Sequence, residues 1–184
     1  SDECKDGDSE WRSIRYFILD TNIAKAFACY EGDEEACTQF GSGSDGESSS
    51  SSGTVSGDAQ SLAQQLLDNP DVTYPLDSSS PNGSSKEVLE ELAAGKEAPV
   101  VCVGGTTKVN IGLLQFLVEL GNQRPIGINA ITDKCHSSGS NHYKGIAVDF
   151  ECGAVDFDTN AADKIAEEYG GARNGETCSA DAHW

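Results

Sequence analysis

The stretch GSGSDGESSSSSGTVSG, residues 41–57, does most to limit how this chain can fold. It has almost no apolar side chains, so it cannot bury enough surface to offset the entropy of ordering it. It reads as a flexible linker. The chain is thereby divided into an acidic N-terminal segment, residues 1–40, the linker, and a domain over residues 58–184. A length of 184 residues suits one domain with an appendage better than two full domains.

Charge narrows the partners. The formal net charge is −19, with only 12 Lys and Arg. A polyphosphate needs a basic footprint, which argues against nucleic acid. An anionic membrane surface is disfavoured for the same reason. No apolar run approaches the length of a membrane-spanning helix. Strong acidity fits a soluble exported or salt-adapted protein.

Seven cysteines and no methionine point to disulfides and an oxidising compartment, the extracellular space or the cell envelope. The odd count leaves one thiol free or pairs it with another chain. No C-x-x-C occurs, so a zinc knuckle has little support. The chain starts without Met and shows no signal peptide, which reads as a mature or trimmed product.

In the N-terminal segment WRSIRYFILDTNIAKAFACY is the most apolar part and reads as a short strand or a helix. Cys29 and Cys37 flank YEGDEEA as a small disulfide loop. From Asp58 the pattern changes. DAQSLAQQLLDNP carries Leu62, Leu66 and Leu67 at helical spacing, with Asp58 at its head and Pro70 beyond its end. SSKEVLEELAAGK is a second helix, with a capping-box pattern at Ser84 and Glu87 and a stop at Gly95. APVVCVGG is a short strand or a turn entry, and VGGTT a turn. KVNIGLLQFLVELGN is a third helix, lined by Leu113, Leu114, Leu117 and Val118. PIGINAIT and GIAVDFE alternate as strands, TNAADKIAEEYGG is a fourth helix, and the tail GETCSADAHW is a last strand or polar end. The order predicts an α+β fold, a small antiparallel sheet with packed helices.

The chemistry concentrates in SNHYKGIAVDF, read as S-x-H-x-x-G-x-A-x-D: Ser140, His142, Gly145, Ala147 and Asp149. An imidazole and a carboxylate are two of the ligands of a catalytic zinc, which takes a third protein ligand and keeps an open position. On a strand Ala147 and Asp149 share one face, while Ile146, Val148 and Phe150 face a core. Gly145 lets the chain turn from the histidine loop into the strand. The bland alternative is an edge strand with a surface histidine. No G-x-S-x-G, H-E-x-x-H or Walker loop competes.

HSSGSNHYKGIAVDF resembles the zinc D-alanyl-D-alanine carboxypeptidases and endopeptidases that cut peptidoglycan peptides. It equally resembles the N-terminal signalling domain of Hedgehog proteins, which shares their fold. The likeness is closest over residues 126–150, weaker over 58–125 and the tail, and absent from 1–57. It implies a Hedgehog/DD-peptidase-like fold, a Zn2+ cofactor, and His142 and Asp149 as metal ligands. The family's late histidine corresponds to His183, and the acid before it to Asp181 as general base. The tail DAHW lacks the H-x-H that members often carry, and GINAITDKC has no clear counterpart of the family's substrate-binding arginine.

His136 polarises a scissile carbonyl or orients a substrate carboxylate on this reading; otherwise it is a solvated loop histidine. Cys102, Cys135, Cys152 and Cys178 fall near the site, and two disulfides among them would pin the loops that carry ligands. The implied activity is zinc-dependent cleavage of a D,D or L,D bond in peptidoglycan stem peptides. The alternatives are a zinc-bearing, non-hydrolytic Hedgehog-like binding module and a structural cell-surface protein.

Overall fold

A computed structural model describes residues 13–18, 55–75, 83–151 and 158–173. The expected Cys29–Cys37 loop, residues 41–54 of the linker, Cys152, Cys178 and the tail with Asp181 and His183 lie outside the described residues.

Four helices form where the sequence places them. Helix α1, Ala59–Asp68, starts at Asp58, whose carboxylate accepts the Ser61 N–H, and buries Leu62, Ala63 and Leu66. Helix α2, Ser85–Ala93, follows a complete capping box between Ser84 and Glu87. It stops at Gly95 (φ +77°), where the Gly95 N–H bonds Leu92 O and the Lys96 N–H bonds Glu91 O. This left-handed cap satisfies the last carbonyls. Helix α3, Ile111–Gln123, buries Phe116, Leu120 and Gly121 as well as the four expected residues, because it lies between the sheet and its neighbouring helices. Helix α4, Thr159–Glu168, is capped by Asp158, which also pairs with Arg124 at 3.2 Å.

The strands are β1 (Ser13–Ile18), β2 (Val72–Thr73), β3 (Ala98–Pro99), β4 (Thr106–Thr107), β5 (Ile126–Ala130), β6 (Ala147–Glu151) and β7 (Gly171–Arg173). A five-stranded sheet runs β2-β5-β6-β1-β7, and β3 and β4 form a separate two-stranded hairpin. The α+β class holds, but the sheet is mixed rather than antiparallel. β2 runs parallel to β5, since helices α2 and α3 intervene between them, whereas the other pairs are antiparallel.

Residues 13–18 of the N-terminal segment do not stand apart from this body. Strand β1 lies between β6 and β7, so residues 13–18 belong to the sheet although the boundary drawn at the linker separates them from it. Its alternation makes the insertion favourable. Tyr16 and Ile18 point into the core and are fully buried, and Tyr16 packs against Phe116 of α3 and Phe150 of β6 with ring centroids 5.4 and 5.7 Å away. The folded body also takes in Val55, whose N–H bonds Tyr169 Oη and whose carbonyl accepts from Gln115.

β5 is buried at all five positions, so its burial does not alternate. Ile126 and Ile128 join the core, while Gly127 faces Glu151 and Pro75 on the other side. Across the sheet the core face carries Tyr16, Val148 and Phe150. The opposite face carries Arg15, Ala147 and Asp149, as the register Tyr16–Val148, Arg15–Asp149 and Phe17–Ala147 requires.

Candidate metal-binding site

The site is built on that opposite face, by β6, β1 and the segment 131–145 joining β5 to β6. Asp149 is a buried carboxylate at the middle of β6. Arg15 is its direct partner on β1. A β-bulge in β5 inserts Asn129 between the pairs Ile128–Phe150 and Ala130–Asp149, and the buried Asn129 carboxamide makes no hydrogen bond. Bulges of this kind re-aim side chains beside functional sites.

The 131–145 segment is fastened at several points. Asp133, fully buried, accepts from the Ile131 N–H at 2.9 Å and from Ser85 Oγ at 3.1 Å. Thr132 Oγ1 donates to Pro99 O of β3. A disulfide joins Cys102, in the β3–β4 hairpin, to Cys135, one residue before His136. It is the one disulfide among the described residues, and it pins a histidine loop as expected. The Tyr143 hydroxyl accepts from the His136 N–H at 2.6 Å and donates to His136 O at 2.7 Å, closing the loop on itself. Gly145 ends it at φ +68°, and its carbonyl accepts the Asn110 N–H that leads into α3.

His142 is fully buried. Its Nδ1 lies 2.7 Å from Ile131 O. A carbonyl only accepts, so this bond assigns the ring proton to Nδ1 and leaves the Nε2 lone pair facing the site. Nε2 lies 3.3 Å from Asp149 Oδ1. With a lone pair on each, the two are acceptors side by side and need a shared cation. Arg15 supplies one: its Nε donates to both His142 Nε2 (3.0 Å) and Asp149 Oδ1 (2.7 Å), and its Nη2 donates to Asp149 Oδ2 (3.0 Å).

His136 stacks on His142, ring centroids 3.9 Å apart and planes 8° from parallel. Its Nε2 is buried without a hydrogen-bond partner. Burial foremost, then the neighbouring His142, Arg15 and Lys134, push its pKa down to about 4, against the opposing pull of Asp149. Burial would raise the Asp149 pKa, but the Arg15 guanidinium, which donates to both carboxylate oxygens, outweighs burial and holds the carboxyl below its usual range.

His136, His142 and Asp149 thus form a group that can hold a metal ion, with ligand atoms all within 4.8 Å of one another. Of the expected ligands, His142 and Asp149 come together, and His136 joins them from the loop. The third expected ligand, His183, and the expected base, Asp181, lie outside the described residues. Ser140, first in the motif, has a structural role, its Oγ accepting the His142 N–H at 3.3 Å.

Sequence reasoning missed Arg15 and Asn129. For Arg15 a signal existed, a cation alternating with apolar residues in SIRYFI, but nothing local names its partner. Asn129 carries no signal, because the bulge that displaces it is visible only in the pairing of β5 with β6. Compared with protein-family models, with curated proteins and with solved structures, the chain matches none.

Proposed function

We propose that this chain is a zinc-dependent peptidase acting on peptidoglycan stem peptides, with His142 and Asp149 as metal ligands. The observation that carries the reading is the convergence of His142 Nε2 and the Asp149 carboxylate, 3.3 Å apart and buried.

The residues fit the metal. A ligating histidine typically donates its other ring N–H to a carbonyl or carboxylate, which fixes the tautomer and orients the ring. His142 does this through Ile131 O. Imidazole and carboxylate are the donors a catalytic zinc uses, and His136 Nε2 adds a buried, unpartnered nitrogen beside them. When bound, zinc polarises a peptide carbonyl and lowers the pKa of water toward neutrality.

The chain's own residues supply the rest. His136, neutral at physiological pH, offers Nε2 to orient the peptide at the metal. By the resemblance, His183 completes the ligand set and Asp181 takes the proton of the attacking water and passes it to the leaving amine. The Cys102–Cys135 disulfide supports an oxidising compartment, the cell envelope or the extracellular space, as the setting of this activity.

A second reading is a non-hydrolytic module, either zinc-bearing or structural. It is favoured by the hold of Arg15 on the lone pairs that zinc would use. One experiment separates the readings: reload the purified protein with zinc, dialyse, measure zinc per chain, and offer purified cell-wall fragments. Unit zinc with release of D-alanine or a split cross-link, seen by mass spectrometry, supports the peptidase. Unit zinc without cleavage of D,D or L,D bonds leaves the binding module. No zinc, or equal zinc in His142→Ala, removes the metal site.

A further inference from the structure

We propose that Arg15 and a divalent metal ion are alternative occupants of one site, so that Arg15 sets the affinity of the site for metal; the inference rests on the metal reading above.

The contacts of Arg15 carry the argument. The lone pairs that make His142 and Asp149 ligands are the ones its guanidinium engages, at 3.0 Å on His142 Nε2 and at 2.7 and 3.0 Å on the two Asp149 oxygens. The two nitrogens of the fork match the two carboxylate oxygens, an arrangement that makes strong, charge-assisted bonds. A nitrogen lone pair cannot serve a donor and a metal together. A guanidinium and a metal cation a few ångströms apart on a buried carboxylate also repel each other with little water to screen them. Metal entry therefore requires the guanidinium to leave.

It has a way out. The Arg15 side chain is 30 % exposed whereas that of Asp149 is 7 % exposed. The guanidinium can swing outward on its flexible stem while the carboxylate stays fixed on β6. The register of β1 against β6 then makes Arg15 a built-in competitor: it is held opposite Asp149 by backbone pairing and returns whenever metal is lost. The competitor also discriminates by charge. A monovalent cation would exchange one positive charge for another and lose the geometry of the fork, whereas a divalent ion brings a second charge to offset the displaced pair.

The test is titration of zinc into wild type, Arg15→Gln and Arg15→Lys by calorimetry, with nitrogen-15 NMR of the Arg15 Nε–H in wild type. Arg15→Gln should bind zinc about 10–100-fold more tightly, the range for losing a competing hydrogen-bonded ion pair. Arg15→Lys should fall between, since it keeps the charge but not the planar fork. In wild type, stoichiometric zinc should abolish the protected Arg15 Nε–H resonance, a readout that needs no variant to fold. Equal or weaker zinc binding by both variants, or an Arg15 Nε–H still protected in zinc-loaded wild type, overturns the competition and leaves the metal site standing. Zinc binding by none of the three proteins overturns both.

Discussion

The imidazoles of His136 and His142 lie face to face, centroids 3.9 Å apart and planes within 8° of parallel. The lone pair of an imidazole nitrogen lies in the plane of its ring. Parallel rings aim their lone pairs side by side, so within the group of three that can hold an ion His136 is the less well aimed ligand. His142 is fixed by Ile131 O, which leaves its Nε2 facing Asp149 as the better placed donor for an ion. His136, held through its main chain by Tyr143, sits above it as a neighbour.

The consequence is a difference between the two alanine variants. His142→Ala should lose zinc under dialysis that leaves wild type loaded. His136→Ala should keep unit zinc, with affinity reduced by less than about tenfold, the low end for residues that only surround a ligand. Elemental analysis after dialysis, followed by calorimetry, measures both. Loss of zinc to the same extent in the two variants would make His136 a ligand and require its ring to turn on binding.

Gly145 gives a test of the loop that delivers His142. It has φ +68°, and a Cβ built there would collide with Lys108 O and come within 3.0 Å of Val109 Cα. Both obstacles belong to backbone, which cannot step aside as a side-chain tip would. Gly139, in the same loop, has φ +82° but open space around its Cβ position. Gly139→Ala should then cost about 1–2 kcal/mol, the left-handed penalty alone. Gly145→Ala should cost at least about 3 kcal/mol, because backbone must also shift. Urea unfolding of the two variants gives the comparison. Equal losses would mean that the close approach of Gly145 to Lys108 is not present in solution.

What the sequence revealed and what it hid divide along the distance between partners. Helix ends were legible because Asp58, Ser84, Glu87 and Gly95 act on backbone a few residues away. The strand at β6 was legible because Val148 and Phe150 alternate with Ala147 and Asp149, and His142 lies only seven positions before Asp149. β1 was not legible as part of the domain. Arg15 meets Asp149 across a sequence separation of 134, with an apolar-poor stretch between, and the alternation in SIRYFI says that a strand forms without saying beside what. The parallel pairing of β2 with β5 was hidden for a related reason, since two residues, Val72 and Thr73, make the whole strand. The link between Cys102 and Cys135 lay within the expected set, but spacing alone does not choose among pairings.

The placement of β1 has a signature at alkaline pH. The Tyr16 hydroxyl donates to Asp163 of α4 at 2.7 Å, and the Tyr169 hydroxyl donates to Glu119 of α3 at 2.6 Å. Burial foremost, then the bond to a carboxylate and its charge, raise both pKa values far above the ordinary tyrosine value. An unfolded tyrosine ionises near pH 10, whereas these two stay protonated in the folded protein. Their contribution to stability is fully present below about pH 10 and declines above it, by about 1.4 kcal/mol per pH unit for each tyrosine, because only the unfolded chain releases the protons. Of the five tyrosines, these two should yield phenolate absorbance only together with loss of the far-ultraviolet dichroism of the helices. Tyr16→Phe should halve the steepness of this part of the alkaline decline, while also losing the bond to Asp163. A Tyr16 that titrates reversibly near pH 10 with the helices intact would mean that β1 is not seated between β6 and β7, and the Arg15–Asp149 pair would lose its foundation with it.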